Sequence, residues 1–391
     1  MSSRISLRRA ASVADYRQLA RRRLPNIFFE YIDGGSYAEH TLRRNVSDLE
    51  AISLRQRVML HDMSALDMGV ETFGQKLSMP VILAPVGMAG MFARRGEVQG
   101  ARAAAAAGLP FCLSTVGICS VEEVARAAPP PWFQLYVIKD RGYMRELLKR
   151  AKAAGSPVLL LTVDLPVPGA RYRDVRSGFR GLTGLPAFIN QTWDGLTHPA
   201  WLWDVWLHGR PHILGSVAGA LTGRKSVTDF LAWITGNFDR SMTWKDLEWI
   251  RAEWDGPIVI KGVLDPEDAR SARAAGAQGI VVSNHGGRQL DGVRSPISAL
   301  PGIVDALGGD LEVFVDSGVR SGLDVLKAVA LGAKACLIGR AWVYALGAGG
   351  QPAVARMLET LRAELEVAMI LTGCQAVRRA GPHLLDLGPD A

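Results

Sequence analysis

Cysteine is scarce: four residues in 391 (Cys112, Cys119, Cys336, Cys374), none paired as CxxC or set at metal-ligand spacing. That excludes a disulfide scaffold and a cysteine-built zinc site, no metal is expected, and free thiols in a reducing compartment fit best. No apolar run reaches the ~20 residues of a spanning helix, so any membrane contact is expected to be peripheral. The first residues lack the apolar segment of a signal peptide, and no secretory leader is expected. Net charge is +7, with Arg4, Arg8, Arg9, Arg17 and the run Arg21 to Arg23 near the amino end. Aromatics, at 7%, do not interleave with these cations. Nucleic acid is therefore not expected as a partner. An acidic substrate or an anionic membrane surface fits better.

What the chain does have is apolar content, 48%, enough for one large barrel or two ordinary domains. Residues 12 to 23 have helical spacing, with Ser12 and Asp15 as a capping pair and Pro25 as the stop. A second helical stretch runs through Phe28, Phe29 and Tyr31 until Asp33-Gly34-Gly35 breaks it. Eight short apolar runs follow: VILAP (81 to 85), FCLST (111 to 115), WFQLYV (132 to 137), VLLLTVD (158 to 164), IVIKG (258 to 262), GIVVSN (279 to 284), EVFVDSG (312 to 318) and ACLIGR (335 to 340). Helix formers separate most of them, which means a parallel sheet covered on its outer face. Eight such units predict a (β/α)8 TIM barrel, an α/β fold, with a doubly wound open sheet as the alternative. The absence of GxGxxG after the first run weakens that alternative.

The expected layout is a single unit over 1–391: a helical segment over 1–79, a barrel over 80–345, and a C-terminal helix and tail over 346–391. The rhythm breaks once, by a long insertion after the fourth strand, about 177–244. It holds Trp193, Trp201, Trp203, Trp206 and Trp233 with Arg180, His198, His208, Arg210, His212, Arg224 and Lys225. Tryptophan and cations suit a membrane interface. Packing of the tryptophans on the barrel or on a neighbouring subunit is the plainer alternative.

The stretch VVSNHGGRQLDG (281 to 292) carries the clearest chemistry. A buried strand runs into a tight loop. Its His285 can exchange a proton near neutrality, and its Arg288 can hold a carboxylate by two parallel hydrogen bonds. Gly286 and Gly287 let backbone approach a ligand. The same residues could also form a solvated turn. The other strand ends tip the balance, because in a barrel the site lies there. They carry Pro85-Val86-Gly87, Ser114, Gln134 with Tyr136, Thr162 with Asp164, Lys261, Ser283, Asp316-Ser317-Gly318-Val319-Arg320 and Gly339-Arg340. Glycines and arginines after strands seven and eight suit a phosphate.

The sequence resembles the FMN-dependent L-2-hydroxy acid oxidase and dehydrogenase family from about Tyr16 to Leu385, through SNHGGRQLDG at 283 to 292. It most resembles the bacterial respiratory L-lactate dehydrogenases within that family. The motifs are LRRNVSDL (42 to 49), LSMPVILAPVG (77 to 87), MFARRGEVQ (91 to 99), WFQLYV (132 to 137), TVDLPVPGARYRD (162 to 174), MTWKDLEWIR (242 to 251) and KGVLDPEDAR (261 to 270). The resemblance implies FMN on Pro85, Val86, Gly87, Ser114, Gln134, Thr162, Lys261, Ser283, Asp316, Ser317, Gly318, Val319, Arg320, Gly339 and Arg340. It implies substrate contacts from Tyr31, Tyr136, Arg171 and Arg288, with His285 as base and Asp164 as its partner. Glycolate-type members carry Trp where this chain has Val116, and the smaller residue leaves room above the flavin, so lactate or mandelate dehydrogenase is expected over glycolate oxidase.

The implied reaction is oxidation of L-lactate to pyruvate, with electrons passed to a quinone on the cytoplasmic side of the inner membrane by a homotetramer. An (S)-mandelate dehydrogenase and an oxygen-using L-2-hydroxy acid oxidase are alternatives within the family. Arg171 and Arg288 would fix the carboxylate, His285 would take the hydroxyl proton, and pairing with Asp164 would favour the charged state of both. Lys261 would offset charge developing on the flavin. A flavin-barrel isomerase or nucleotide dehydrogenase is a further alternative; the latter would want a cysteine in a strand-end loop, whereas Cys112 and Cys336 lie inside strands. A non-catalytic, membrane-associated binding protein would be expected to lack one of His285, Asp164 or Arg288, and all three are present.

Overall fold

The computed structural model describes residues 6–179, 193–216 and 236–386. Arg180, Arg224, Lys225 and Trp233 of the insertion lie outside them. Eight strands form one sheet: β1 (Val81–Leu83), β2 (Cys112–Ser114), β3 (Trp132–Tyr136), β4 (Leu159–Thr162), β5 (Ile258–Val263), β6 (Gly279–Val282), β7 (Glu312–Val315) and β8 (Ala335–Ile338). Each falls on one of the eight apolar runs. They pair in the order β1-β8-β7-β6-β5-β4-β3-β2, and every pairing is parallel. The ring closes where Leu83 bridges Phe111 and its N–H donates to the Pro110 carbonyl at 3.0 Å. The fold is thus the expected TIM barrel. The strands can be apolar throughout because both faces are buried: side chains fill the interior on one side, and helices cover the other.

Among the described residues the α-helices of five residues or more, in chain order, are α1 (Val13–Arg23), α2 (Asn26–Asp33), α3 (His40–Ala51), α4 (Gly96–Ala106), α5 (Val121–Ala127), α6 (Arg141–Ala153), α7 (Tyr172–Arg176), α8 (Asp246–Glu253), α9 (Pro266–Ala274), α10 (Pro296–Leu307), α11 (Gly322–Ala330) and α12 (Arg340–Thr372). Helix α1 begins with the expected capping box: Ser12 accepts from the Asp15 amide, and the Asp15 carboxylate accepts from the Ser12 amide at 3.1 Å. Helix α12 breaks at Gly349-Gly350, where the backbone leaves helical geometry. Ahead of its break, the Gly347 carbonyl accepts from Arg23 of α1 at 3.1 Å. At the strands' amino ends a hairpin (Val70–Thr72, Gln75–Leu77) presents Phe73 to Trp132 and Phe314, with ring centroids 5.9 and 6.0 Å away. This aromatic stopper closes the end opposite the loops that carry the polar residues.

Between β5 and β6 the register slips at Lys261 and Val263, around Gly262 at φ +112°. A Cβ at Gly262 would lie 2.5 Å from the Asp164 Cβ, so only glycine lets β5 bulge beside that carboxylate. In the insertion, Trp201 is buried and its indole N–H donates to the Met91 carbonyl at 2.8 Å. Trp193, Trp203 and Trp206 remain 69%, 65% and 43% exposed. The two readings of the tryptophans therefore divide between residues. Among the described residues, no helix is long and apolar enough to cross a membrane.

Candidate active site

The carboxyl ends of the strands open into a cavity of about 480 Å³. That volume is ordinary for a small-molecule or cofactor site. Tyr31, Tyr136, Arg171, Arg288, His285, Pro85, Val86, Gly87, Gln134, Thr162, Lys261, Asp316, Ser317, Gly318, Val319, Arg320, Gly339 and Arg340 all line it. They come from seven of the eight strand ends and from the N-terminal segment, and Val116 adds the end of β2. Asp164, Ser114 and Ser283 do not reach the wall and instead stand behind residues that do.

His285 lies just past β6 with φ +57°, an uncommon conformation for a side chain of its size. Gly286 and Gly287 continue the left-handed run, both at φ +69°. Gly286 lines the cavity, in keeping with the expected ligand approach, but packing within the protein also demands glycine at both positions. A Cβ on Gly286 would meet the Arg340 guanidinium at 2.6 Å, and one on Gly287 would meet the Leu42 amide at 2.7 Å. The glycines let the loop pack on the protein itself.

His285 Nδ1 bonds Asp164 Oδ1 at 2.8 Å. A carboxylate only accepts, so the neutral imidazole carries its proton on Nδ1 and keeps the lone pair on Nε2. Burial lowers the imidazole pKa and outweighs Asp164, which raises it, so the net value lies below the usual 6.5. Pairing with Asp164 does favour the imidazolium, as expected, but desolvation outweighs it in the net value, and the resting ring is a free base. Burial raises the Asp164 carboxyl, but His285 and Lys261 outweigh it and hold the net pKa below its ordinary value.

Lys261 donates to Ser283 Oγ at 2.8 Å and pairs with Asp316 Oδ2 at 2.8 Å. Burial lowers its pKa, Asp316 and Asp164 raise it by more, and the ammonium stays charged inside the barrel mouth. The Asp316 carboxylate is thereby engaged by lysine, and it also accepts from Ser317 Oγ at 2.7 Å. Arg288 Nη1 donates to the carbonyls of Tyr31 and Gly34, and its guanidinium carbon sits 4.8 Å above the Tyr31 ring. Among the described residues no acceptor meets its Nη2. Arg171 Nε donates to the Arg288 carbonyl at 3.3 Å, bringing the two cations to one side of the cavity. Tyr136 stacks 6.4 Å from the imidazole, and burial pushes its phenol pKa up, so it remains a donor.

An FMN molecule needs an anion cradle at one end and matched polar groups along a flat ring at the other. Both are here. The 33-residue α12 starts at Arg340 behind Gly339, and its first amides have no partner within the helix. Arg320 and the left-handed Gly318 (φ +104°) lie beside them. The Arg340 guanidinium is spent otherwise, donating to the carbonyls of Ile32, Gly286 and Gly34 at 3.0, 2.8 and 2.8 Å. Burial lowers its pKa to about 10, which leaves it protonated. At the ring end, Gln134 Nε2 and Thr162 Oγ1 are buried polar atoms with no partner, although both residues face the cavity. Orphaned donors of this kind are costly unless a ligand meets them. Gln134 Oε1 is fixed by Ser114 Oγ at 3.1 Å, which sets the amide's orientation. The residues fit the cofactor.

Sequence reasoning missed part of the wall. Phe179 lies 4.9 Å from Tyr31, and Phe238 lies 5.6 Å from Tyr136, ring centre to ring centre. Leu165 and Pro168 of the β4 loop join them. Phe179 and Phe238 lie inside the insertion near its two ends, where no periodicity marks which aromatic turns inward. Gly262 was visible as the last residue of IVIKG, but its role depends on Asp164 being adjacent in space. The four cysteines are buried and unpaired, and burial raises every thiol pKa, so none is a nucleophile poised for catalysis.

Residues 20–387 match the family described as FMN-dependent dehydrogenase. The L-lactate dehydrogenase of Chromohalobacter salexigens is 58% identical over 96% of this chain and 95% of its own length. That of Pseudomonas aeruginosa is 59% identical over 93% and 94%. The crystal structure of the monotopic membrane protein (S)-mandelate dehydrogenase superposes with a TM-score of 0.90 at 34% identity, covering 97% of this chain and all of the other. A mandelate oxidase structure gives a TM-score of 0.81 at 39% identity over 96% of this chain and 98% of its own. With the closed barrel and its polar-lined cavity, these likenesses establish that the chain belongs to the FMN-dependent dehydrogenase family.

Proposed function

We propose that the protein oxidises L-lactate to pyruvate at the cavity above β6 and passes the electrons to a membrane quinone. The observation that carries the reading is His285 Nε2, a free base held by Asp164, in one cavity with Arg171 and Arg288. Relatives 57–59% identical and named L-lactate dehydrogenase support the choice of acid. The barrel floor (Pro85, Val86, Gly87, Gln134, Thr162, Lys261) and the loops at 316–320 and 339–340 hold FMN, with Ser114 and Ser283 fixing Gln134 and Lys261 from behind. When bound, FMN supplies the two-electron acceptor.

The chain's own groups do the rest. Arg288 and Arg171 hold the substrate carboxylate, which presents one enantiomer's α-carbon to the cavity floor. Tyr31 and Tyr136 donate to the substrate's oxygens. His285 Nε2 takes the hydroxyl proton, and Asp164 then stabilises the imidazolium and keeps the ring oriented. Lys261, paired and desolvated, supplies fixed positive charge at the strand-five side of the floor.

A second reading, (S)-mandelate as substrate, is favoured by Val116, Phe179 and Phe238, whose apolar surfaces could receive a phenyl ring. The test mixes the yellow holoprotein anaerobically with L-lactate, D-lactate and (S)-mandelate and follows flavin bleaching. Fast bleaching by L-lactate alone is expected. Bleaching faster with (S)-mandelate would replace the substrate, and no bleaching by either would end the proposal. Reoxidation faster with a ubiquinone analogue than with air is the outcome expected of a quinone-linked enzyme.

The membrane reading rests on exposed Trp193, Leu196, Trp203, Trp206 and Leu207 next to cationic α1. Asp204 pairs with Arg23 at 2.8 Å and lies 3.7 Å from Arg94, which ties the segment to those cations. The chain would sit peripherally, on the cytoplasmic face if its four thiols mark a reducing compartment. Exposed Val58, Met59, Leu60, Ile370 and Leu371 support self-association into the homotetramer that the family resemblance implies.

A further inference from the structure

The motif LRRNVSDL contributes no residue to the cavity wall, yet its Asn45 is 2% exposed and polar. Asn45 lies in α3, and its side chain forms a closed pair with Asn284. Asn45 Nδ2 donates to Asn284 Oδ1 at 2.9 Å, and Asn284 Nδ2 donates to Asn45 Oδ1 at 2.7 Å. Asn284 directly precedes the base. Its Oδ1 also accepts from the Gly287 amide at 2.9 Å, and its Nδ2 donates to the Arg294 carbonyl at 3.3 Å. The Gly287 N–H also meets the Asn284 main-chain carbonyl at 3.1 Å, and the Asn284 side-chain amide, paired with Asn45 of α3, adds a second acceptor across the left-handed turn 285–287. The other end of Asn45 meets the opposite loop: a Cβ on Gly318 would fall 1.9 Å from the Asn45 carbonyl oxygen.

We infer that Asn45 is a positioning residue for the base: by fixing which way the Asn284 amide faces, it keeps an acceptor on the Gly287 N–H and so holds His285 in its left-handed conformation. The inference rests on the reading of His285 as the base. The physical reason is that an amide pair is directional. If Asn284 turned over, an NH2 group would face the Gly287 N–H, two donors would oppose each other in a buried site, and the turn would shift. A partner offering both a donor and an acceptor at position 45 opposes this, together with the Arg294 carbonyl that accepts from Asn284 Nδ2.

Asn45→Asp makes the idea testable by pH. An ionised carboxylate offers two acceptors, one of which repels Asn284 Oδ1 in either orientation of that amide and so loosens the pair. A protonated carboxyl offers one O–H and one carbonyl, the same pattern as the amide. Burial raises the pKa of such a carboxyl and brings the transition into an accessible range. The charged groups tied to the same elements are Arg44 and Asp48 on α3, Asp291 at its amino end, and Lys327, which donates to the Leu49 carbonyl at its carboxyl end. Those around the base are Asp164, Lys261 and Arg171. All are shared by wild type and variant, so a ratio of the two cancels their own titration to first order.

The experiment measures kcat, KM and flavin per chain for wild-type, Asn45→Asp, Asn45→Ala and His285→Ala holoproteins between pH 5 and pH 9. Asn45→Asp should lose up to about a hundredfold in kcat at high pH, the scale of loss from a small misplacement of reacting groups. The deficit should shrink severalfold or more toward low pH, while KM and bound flavin change little. Asn45→Ala, with nothing to protonate, should show a deficit independent of pH. A deficit that is flat in Asn45→Asp, or that falls on flavin content rather than kcat, would overturn the positioning role. His285→Ala separates the two ideas. If it abolishes turnover while Asn45→Asp gives a flat ratio, the base stands and the inference fails; if it retains turnover, both fail.

Discussion

His285 is a base because of where it is buried. Its partner Asp164 alone would make the ring more basic and leave more of it protonated, but desolvation outweighs that influence and keeps Nε2 unprotonated at neutral pH. The sign sets the pH dependence: kcat/KM should rise with pH through a value below 6.5 and then level off. Asp164→Asn removes an influence that raises the imidazole pKa, so the acid limb should move to still lower pH. Turnover should nonetheless fall by about 10³-fold or more, because an amide no longer selects the Nδ1–H tautomer or stabilises imidazolium. Stopped-flow bleaching against pH reads both effects, and an acid limb that moves upward would contradict the assignment. His285 and Arg288 stood out as candidates by residue chemistry, and only the other strand ends tipped the reading away from a solvated turn. The engagement of the Arg340 guanidinium by three carbonyls was not, because it takes the N-terminal segment and the β6 loop together to surround it.

Helices α1 and α2 and the loop after them work as a clamp on the active-site loops. Ser36 N–H donates to the Gly287 carbonyl at 2.9 Å, and the Gly34 carbonyl receives both Arg288 and Arg340. The node of this clamp is Asp33, 4% exposed, bonded by Arg17, by Arg173 at 2.8 Å and by the Tyr344 hydroxyl at 2.7 Å. Burial would raise its pKa, but these three partners outweigh burial and hold it well below the carboxylate range. A depressed folded value means that Asp33 contributes stability above the unfolded pKa near 4, and the contribution is lost as pH falls below it. Asp33→Ala should cost about 2 kcal/mol at pH 7, with the exposed side of Arg17 rehydrating. The difference from wild type in urea denaturation should narrow at pH 3; an equal gap at both pH values would refute the linkage. The helices themselves were readable from Ser12, Asp15 and the Asp33-Gly34-Gly35 break. That they close over the barrel mouth was not, since their apolar faces would suit any neighbour.

The assembled molecule separates a packed barrel floor from a face carrying exposed tryptophans beside a cationic helix. If that face docks on lipid, Trp203→Ser with Trp206→Ser should reduce co-sedimentation with vesicles containing anionic lipid by about tenfold, while flavin bleaching by substrate stays unchanged. Unaltered sedimentation would leave the tryptophans without a membrane role. The eight strands could be read directly from the chain because a parallel strand buried on both faces must be apolar whatever surrounds it, and the spacing between such runs leaves room only for crossover helices. Composition, the barrel and the residue types of the site follow from that local chemistry. Ring closure is a different matter. His285 and Asp164 are 121 positions apart, Asn45 and Asn284 are 239 apart, and no local pattern records that either pair will touch. Those meetings, and the desolvation that turns an ordinary imidazole into a resting base, exist only once the cylinder has closed and water has been excluded, because burial and proximity are properties of the packed chain and not of its order.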